Sequence, residues 1–369
     1  MALIDAVSKG VVGVLGRAPK AAQTALGGRH VNADGDVLEP EVAAALRLLA
    51  LMPDADFSDL PLETARRQID AEADLFGGKQ LPMSLTQDVT IPTPEGSIAG
   101  RLYVGPKGPS NRLLLYFHGG GWVLGSLDSH DSPCRFLATH AGVNVLAVDY
   151  RLAPEHPFPA APDDALAAFE YAVAMAPEWG HDPTMIGVAG DSAGGNLSAV
   201  LAIDLRDAPV RPAMQVLFFP VTDLSAKTAS YSEFSEGYFL TEKQMDWYSA
   251  HYCGDTDPAD PRISPLLAKD LSGLASAYVV VSGFDPLRDE GEAYAKRLAE
   301  AGVQVALRRH GNMIHAFVNS TGVGRASRGG HARGVWCDPD GIGCWALILH
   351  DRPVRTTTSP RTAAGCARC

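Results

Sequence analysis

The fold of this chain is decided by the stretch MIGVAGDSAGG, residues 185–195. Residues 185–189 form a short apolar run and the residues after the stretch favour a helix, so the pattern predicts a strand, a sharp turn and then a helix. Gly190 and Gly194 lie two residues before and two residues after Ser192. Small residues allow a turn tight enough to expose a serine oxygen above the edge of a sheet. The stretch therefore predicts a nucleophilic serine, Ser192.

A glycine loop upstream of the serine predicts an oxyanion hole. The apolar run at residues 113–117 leads directly into HGGGW, residues 118–122. Acyl transfer passes through a tetrahedral oxyanion, which backbone N–H groups can approach closely from a loop without side chains. We expect the N–H groups of Gly120 and Gly121, together with that of Ala193, to donate to this oxyanion.

Three successive glycines are also typical of flexible loops and of phosphate-binding loops. The chain has neither a G-x-x-x-x-G-K-[ST] sequence nor a G-x-G-x-x-G sequence that opens a helix, so the oxyanion interpretation is favoured. His118 precedes the serine, which is the wrong place in the chain order for a general base. We expect His118 to fix the loop.

The acid and the base of a serine hydrolase built in this way follow the serine along the chain. Asp285 leaves the end of a predicted strand at residues 277–281, and His315 lies in the loop beyond another at residues 303–307. His310 still belongs to the end of that second strand. The sequence therefore predicts Asp285 as the acid and His315 as the base.

Two other carboxylates compete for the role of the acid. Asp289 and Glu290 fall in the first turn of the helix that follows Asp285, where acidic side chains commonly interact with the helix dipole. We therefore prefer Asp285. A serine hydroxyl must lose its proton to an imidazole as it attacks, and a carboxylate fixes the tautomer of that imidazole. An acyl-enzyme on Ser192 needs no metal and no organic cofactor.

Five motifs in the chain together resemble a known family. They are HGGGW at 118–122, DYRLAPE at 149–155, FPA at 158–160, GDSAGGN at 190–196 and DPLRD at 285–289. Over roughly residues 80–323 the chain resembles the hormone-sensitive lipase family of microbial carboxylesterases. The resemblance implies an α/β-hydrolase fold, with a mostly parallel sheet flanked by helices and a helical cap. It also implies cofactor-free hydrolysis of esters with short or medium acyl chains, the triad Ser192, Asp285 and His315, and an oxyanion loop at Gly120 and Gly121.

The DYRLAPE motif is expected to be structural. We predict that Arg151 and Glu155 form a polar bracket behind the buried strand at residues 143–148. The division of the chain follows from where strands and helices alternate. We predict a helical cap segment at 1–80, a catalytic core at 81–323 with a second cap segment at 223–274, and an atypical, disordered tail at 324–369.

The second cap segment contains several aromatic residues among polar ones. We hypothesise that Tyr238, Phe239 and Trp122 line the acyl pocket, because they are expected to lie near the serine. The tail holds four of the six cysteines, but their spacing matches no common zinc site. Its composition is typical of a change of reading frame near residue 324, which we offer as a hypothesis.

Composition narrows the function classes further. The formal net charge of −12 argues against nucleic acid or an anionic membrane surface as a partner. No apolar run approaches the roughly 20 residues that span a bilayer. Charged residues interrupt the N-terminus where a signal peptide would be apolar, so a cytoplasmic location is expected. An amphipathic stripe at residues 3–15 is expected to pack over the acyl pocket.

Three functions are compatible with the motifs. An esterase acting on a small-molecule substrate is preferred, because nucleophile, acid, base and oxyanion loop occur in the required order. An amidase or deacetylase would use the same groups, and a non-catalytic binding protein on the same fold would lack the base. The sequence leaves open whether the chain forms a homodimer.

Overall fold

The structure of the protein is a computed structural model that describes residues 15, 18–51 and 56–320. The strands are β1 (Leu85–Thr93), β2 (Gly96–Val104), β3 (Leu113–Phe117), β4 (Asn144–Asp149), β5 (Ile186–Asp191), β6 (Met214–Phe218), β7 (Ser276–Phe284) and β8 (Val305–Ile314). They form one sheet in the order β1-β2-β4-β3-β5-β6-β7-β8. Strand β2 is antiparallel to both of its neighbours, and the other neighbours run parallel. The predicted α/β-hydrolase sheet is confirmed.

Helices surround this sheet. The described α-helices are α1 (Lys20–Gly27), α2 (Pro40–Leu49), α3 (Leu62–Phe76), α4 (Asp131–His140), α5 (Ala160–Met175), α6 (Ala193–Asp204), α7 (Ala229–Glu233), α8 (Glu242–Cys253) and α9 (Arg288–Glu300). Ala161, Ala165, Ala168 and Ala172 bury one face of α5, at the three- and four-residue spacing of an amphipathic helix. A capping box formed by Thr241 and Gln244 stabilises the N-terminus of α8.

The core lies on both faces of the central strands. Along β3, Leu113, Leu115 and Phe117 pack into the cluster on one face, whereas Leu114 and Tyr116 pack into the cluster on the other. This alternation follows from the two-residue period of a strand. Because both faces are covered by helices, β3 reads as a continuous apolar run.

The N-terminal segment differs in part from the helical cap that the sequence predicts. Residues 28–39 form an irregular hairpin, in which Val31 pairs with Val37. The side-chain amide of Asn32 donates to the carbonyl of Gly283 at 2.9 Å, so this hairpin packs against the end of β7. The stripe at residues 3–14 and the tail at 324–369 lie outside the described residues.

Two segments far apart in the chain, the turn before α3 and helix α8, contact each other. The ring of Phe57, which precedes α3, lies 5.4 Å from that of Tyr248 on α8. Lys243 of α8 forms ion pairs with Asp56 at 3.0 Å and with Asp59 at 2.6 Å. In the described part of the chain, no helix combines the length and the apolar character needed to cross a membrane.

Candidate active site

Ser192, Asp285 and His315 each directly follow a parallel strand, respectively β5, β7 and β8. The carboxyl ends of parallel strands lie at the same edge of a sheet, where open α/β sheets bind their ligands. The structure therefore brings these three sequence-predicted residues to one edge. Their exposed fractions are 9 %, 0 % and 5 %, so the site is covered rather than open to solvent.

The backbone at Ser192 forms a strained turn between β5 and α6. Its φ of 55° and ψ of −115° are unusual for a residue with a side chain. A Cβ at Gly194 would lie 1.9 Å from the carbonyl oxygen of Phe117, so this position must be glycine. Ser192 N–H donates to the Phe218 carbonyl at 2.9 Å and its own carbonyl accepts from Val221 at 3.3 Å. These contacts hold the serine in the strained conformation.

A buried hydrogen bond joins Asp285 and His315. Nδ1–H of His315 donates to Oδ2 of Asp285 at 2.8 Å. The other carboxylate oxygen, Oδ1, accepts from the N–H of Leu287 at 2.9 Å. The hydrogen bond from His315 to Asp285 fixes the imidazole tautomer that leaves Nε2 available as a base. The ring of Phe219, which follows β6, packs 4.7 Å from that of His315 and limits its rotation.

Asp289 and Glu290, the other two candidates for the acid, are hydrogen-bonded to residues other than His315. Asp289 accepts from the N–H of Ser230 at 2.9 Å. Glu290 is fully buried, and its Oε1 accepts from the N–H of Thr222 at 2.6 Å. Burial raises the pKa of Glu290 to about 8. Glu290 lies in the first turn of α9, as expected, but its side chain is buried, which the sequence did not indicate.

The glycine loop after β3 is held by its neighbours on both sides. The hydroxyl of Tyr150 donates to the carbonyl of His118 at 2.8 Å, and Ala153 N–H donates to that of Trp122 at 2.8 Å. Burial lowers the pKa of His118 to about 3, so this imidazole stays neutral. Its Nδ1–H donates to the carbonyl of Gly119 at 2.8 Å. His118 thus contacts the loop itself, as a residue that fixes the loop should.

The N–H groups of the three expected oxyanion donors are uncommitted within the described residues. Gly120 and Gly121 belong to the loop after β3, and Ala193 is the first residue of α6. None of the hydrogen bonds within residues 56–320 uses these three N–H groups as donors. Their assignment to an oxyanion stays a prediction, and the first N–H groups of a helix are well suited to that role.

Ion pairs of the DYRLAPE motif differ from the predicted bracket. Arg151 pairs with Asp164 at 2.8 Å, and Glu155 pairs with Arg66 at 2.7 Å. The two residues therefore belong to two separate ion pairs. Arg66, on α3, also donates to the carbonyl of Val123 at 3.0 Å. It anchors the helix to the glycine loop, a role that no sequence pattern indicated.

Trp122 and the aromatic residues of the second cap segment differ in their contacts. Tyr248 lies directly against the loop, since a Cβ at Gly121 would be 2.1 Å from Cδ1 of its ring. Trp122 is fully buried and stacks on Tyr252 with ring centroids 4.0 Å apart. Tyr238 is hydrogen-bonded to His30 at 3.2 Å. No sequence pattern singled out Tyr248 for a place against this loop.

Phe239 differs from Trp122 and Tyr238 in being exposed, with 37 % of its surface accessible. The role of these three residues in an acyl pocket stays a prediction. Within the described ranges, no group of three or more His, Cys, Asp or Glu side chains is arranged to hold a metal ion.

Comparison with known proteins gives the same fold and a consistent activity. Residues 114–319 match a family model described as the alpha/beta hydrolase fold. The carboxylic ester hydrolase LipN of Mycobacterium tuberculosis is 45% identical over 312 residues, covering 82% of this chain and 83% of that protein. The ethyl acetate hydrolase of Pseudomonas putida is 39% identical over 76% of this chain and 92% of that one.

Among solved structures, the hyperthermophilic esterase of the archaeon Pyrobaculum calidifontis superposes with a TM-score of 0.75. It is 38% identical, and the match covers 81% of this chain and 96% of that chain. A thermostable carboxylesterase, EstE1, from a metagenomic library is 41% identical with a TM-score of 0.70, over 73% of this chain and 93% of that one. The chain belongs to the hormone-sensitive lipase-like carboxylesterases of the α/β-hydrolase fold family.

Proposed function

We propose that this carboxylesterase cleaves its substrate through an acyl-enzyme on Ser192, with His315 as general base and Asp285 as the residue that orients it. The observation that carries the proposal is the 2.8 Å bond from His315 to Asp285 at the sheet edge that also bears the strained Ser192. The same bond counts against a non-catalytic binding protein. A binding protein would have no need of a buried imidazole whose tautomer is fixed for proton transfer.

The proposed reaction has two halves. As the Oγ of Ser192 attacks the ester carbonyl carbon, its proton passes to Nε2 of His315. The tetrahedral oxyanion accepts from the N–H groups of Gly120, Gly121 and Ala193, and its collapse breaks the ester bond while His315 protonates the leaving alcohol. Water then attacks the acyl carbon and gives a proton to His315, and His315 returns this proton to Oγ of Ser192 as the acyl–oxygen bond breaks and the acid leaves. Asp285 keeps its hydrogen bond to Nδ1 of His315 and stabilises the imidazolium that forms.

Short or medium acyl chains are the proposed substrates. Only 9 % of Ser192 is exposed, and Tyr248 of the second cap segment lies against Gly121 of the glycine loop. Such cover favours a small enclosed substrate over an extended lipid surface. The name of the Pseudomonas putida relative, ethyl acetate hydrolase, specifies an ester of a two-carbon acid and supports the same size class.

The two cap segments are proposed to act as one lid over this site. Phe57 and Tyr248 pack together, and Lys243 pairs with Asp56. Arg66 connects this assembly to the carbonyl of Val123, directly after the glycine loop. The cap is therefore coupled to the oxyanion loop through both an aromatic contact and a hydrogen bond.

Hydrolysis of p-nitrophenyl esters with acyl chains of two to sixteen carbons tests the proposal. The wild-type protein should be fastest on the shorter chains, and Ser192→Ala should lose at least about 10⁵-fold in kcat. Ser198→Ala is the matched control, because Ser198 lies in α6 and its hydroxyl donates only to the Gly194 carbonyl, at 2.9 Å. Full activity of Ser192→Ala would refute the acyl-enzyme, and best turnover on sixteen carbons would refute the size class.

A further inference from the structure

A second buried carboxylate, Asp191, lies directly before Ser192 and has no part in the reaction described above. Its side chain is only 2 % exposed. It accepts four hydrogen bonds: to Oδ1 from Tyr116 Oη at 2.7 Å and Gly119 N at 3.1 Å, and to Oδ2 from Asn319 Nδ2 at 3.1 Å and His130 Nε2 at 3.3 Å. A buried carboxylate satisfied by four donors is a specific arrangement, since each unpaired donor would be costly.

These contacts join three parts of the active site. Asp191 itself belongs to the turn that presents Ser192. Gly119 is the residue before the two glycines whose N–H groups are assigned to the oxyanion. Asn319 lies four residues after His315, in the short helical turn that ends the loop of the base. One carboxylate therefore contacts the nucleophile turn, the oxyanion loop and the base loop at once.

The charge of Asp191 strengthens these contacts. Burial alone would raise the pKa of this carboxyl, but the nearby His130 and the hydrogen bonds from Tyr116 and Asn319 outweigh burial and hold its pKa below the ordinary value. Hydrogen bonds to an ionised carboxylate are about twice as strong as neutral ones. The position of Gly119 is thus set by a charge-assisted bond in a low-dielectric environment.

His130 is fixed from both sides. Its Nδ1 is hydrogen-bonded to Oγ of Ser129 at 2.8 Å, and that oxygen also lies 3.0 Å from the carbonyl of Ser126. Nε2 faces Asp191, so both ring nitrogens are occupied. The imidazole is therefore part of the support around Asp191 and is not available to take a proton from Ser192.

We propose that Asp191, kept in place by Asn319 and His130, is a positioning residue that aims the oxyanion loop. By holding Gly119 N–H, it keeps the next two N–H groups of the loop directed at the oxyanion that forms on Ser192. Asn319 makes this geometry depend on the loop of the base. The inference rests on the proposed function, since it presumes an oxyanion at Ser192.

Substitution of Asn319 separates positioning from general stability. Asn319→Ala removes the donor, and Asn319→Asp keeps the shape but places a second carboxylate beside Asp191. Asn312→Ala is the matched control. Asn312 lies three residues before His315, and its side-chain amide donates to Glu39 at 3.3 Å and not to Asp191. Each variant is assayed for kcat and KM with p-nitrophenyl butyrate, and for inhibition by an aryl trifluoromethyl ketone.

The ketone forms a hemiketal oxyanion on the serine, so its affinity reports the oxyanion hole directly. We expect Asn319→Ala to lower kcat about tenfold, with KM unchanged and the ketone weakened by the same factor, because part of a contact made only in the transition state is lost. Asn319→Asp should be worse than Asn319→Ala, since the added charge repels Asp191. Asn312→Ala should behave like the wild type.

Wild-type kcat and ketone affinity in both Asn319 variants would overturn the inference, and so would a loss confined to KM. Asp191→Asn is a further test, expected to lose more than Asn319→Ala; if it does not fold, the Asn319 variants decide the matter, because that side chain is only partly buried. Activity in Ser192→Ala would instead refute the proposed function. An inactive Ser192→Ala combined with unaffected Asn319 variants would refute only the positioning role.

Discussion

Two buried histidine–aspartate pairs lie at the same edge of the sheet, and they are connected in opposite ways. In the pair His315–Asp285, Nδ1 contacts the carboxylate at 2.8 Å. In the pair His130–Asp191, Nδ1 is bonded to Ser129 and Nε2 contacts the carboxylate at 3.3 Å. The first arrangement leaves one ring nitrogen available for proton transfer, whereas the second leaves none.

The difference shows that a buried His–Asp pair is not in itself a catalytic pair. What decides the role is which nitrogen the carboxylate takes and what the other nitrogen can reach. Asp285 orients an imidazole, and Asp191 instead uses its imidazole as one of several donors while it holds Gly119. Both pairs contribute to the proposed oxyanion step. His315–Asp285 transfers the proton of Ser192, and His130–Asp191 positions the loop whose N–H groups bind the oxyanion.

Alanine at each histidine should separate the two pairs most strongly. His315→Ala removes the base and should lower kcat by about 10⁴-fold or more. His130→Ala removes one of four donors to Asp191 and should lower kcat by only about tenfold. The measurement is kcat on p-nitrophenyl acetate at pH 7.5, with the unfolding midpoint of each variant as control. Equal losses would mean that the two pairs have been wrongly distinguished.

Asp285→Asn tests what the carboxylate contributes in the pair His315–Asp285. The amide keeps the size of the side chain but cannot favour the same tautomer or stabilise the imidazolium, so kcat should fall by roughly 10³–10⁴-fold with little change in KM. Steady-state kinetics over a range of substrate concentrations would show this. A loss below about tenfold would point to another carboxylate as the partner of His315.

Glu290 extends the comparison to a buried carboxyl that has no histidine partner. Burial raises its pKa in the folded protein to about 8 from an ordinary value of 4.5. Between these pH values the folded state holds a proton that the unfolded chain releases, so stability is lost as pH rises through this window. Glu290→Gln removes this dependence while its side-chain oxygen can still accept from Thr222.

We therefore expect the free energy of unfolding of Glu290→Gln, relative to that of the wild type, to be about 3 kcal/mol higher at pH 9 than at pH 5.5. Urea unfolding of both proteins at the two pH values measures the difference. A free-energy difference between the two proteins that is the same at both pH values would show that Glu290 is ionised in the folded state.

Phe239→Ala should have the smallest effect. Phe239 is far more exposed than the two pairs, and its proposed role is to contact the acyl chain. Removing the ring should shift the chain-length profile of kcat/KM by a few-fold toward longer acyl groups and leave acetate hydrolysis unchanged. Profiles that superimpose on those of the wild type would remove Phe239 from the acyl pocket.

Much of this architecture could be predicted from strand order alone. Apolar runs located β3, β5, β7 and β8, and in a parallel sheet the residue after each strand must lie at the common edge. That reasoning identified Ser192, Asp285 and His315 as residues brought to one edge. Their catalytic roles stay a prediction, and the experiments above address them.

The supporting contacts could not be predicted, because they join elements far apart in the chain. Asn319 and Asp191 are 128 residues apart, and Arg66 and Val123 are 57 apart. Neither pair leaves a periodic or motif-like signal. The burial of Glu290 could not be predicted either, since its place in a first helical turn does not reveal that α9 buries this side chain.

The most direct test of the account is the rate at which diethyl p-nitrophenyl phosphate phosphorylates the protein, with the modified peptide identified by mass. The wild type and His130→Ala should be labelled on Ser192 at rates within about tenfold of each other, whereas His315→Ala should be slower by about 10³-fold or more. A label on a different residue, or equal slowing in the two histidine variants, would contradict the assignment of His315 as the base that activates Ser192.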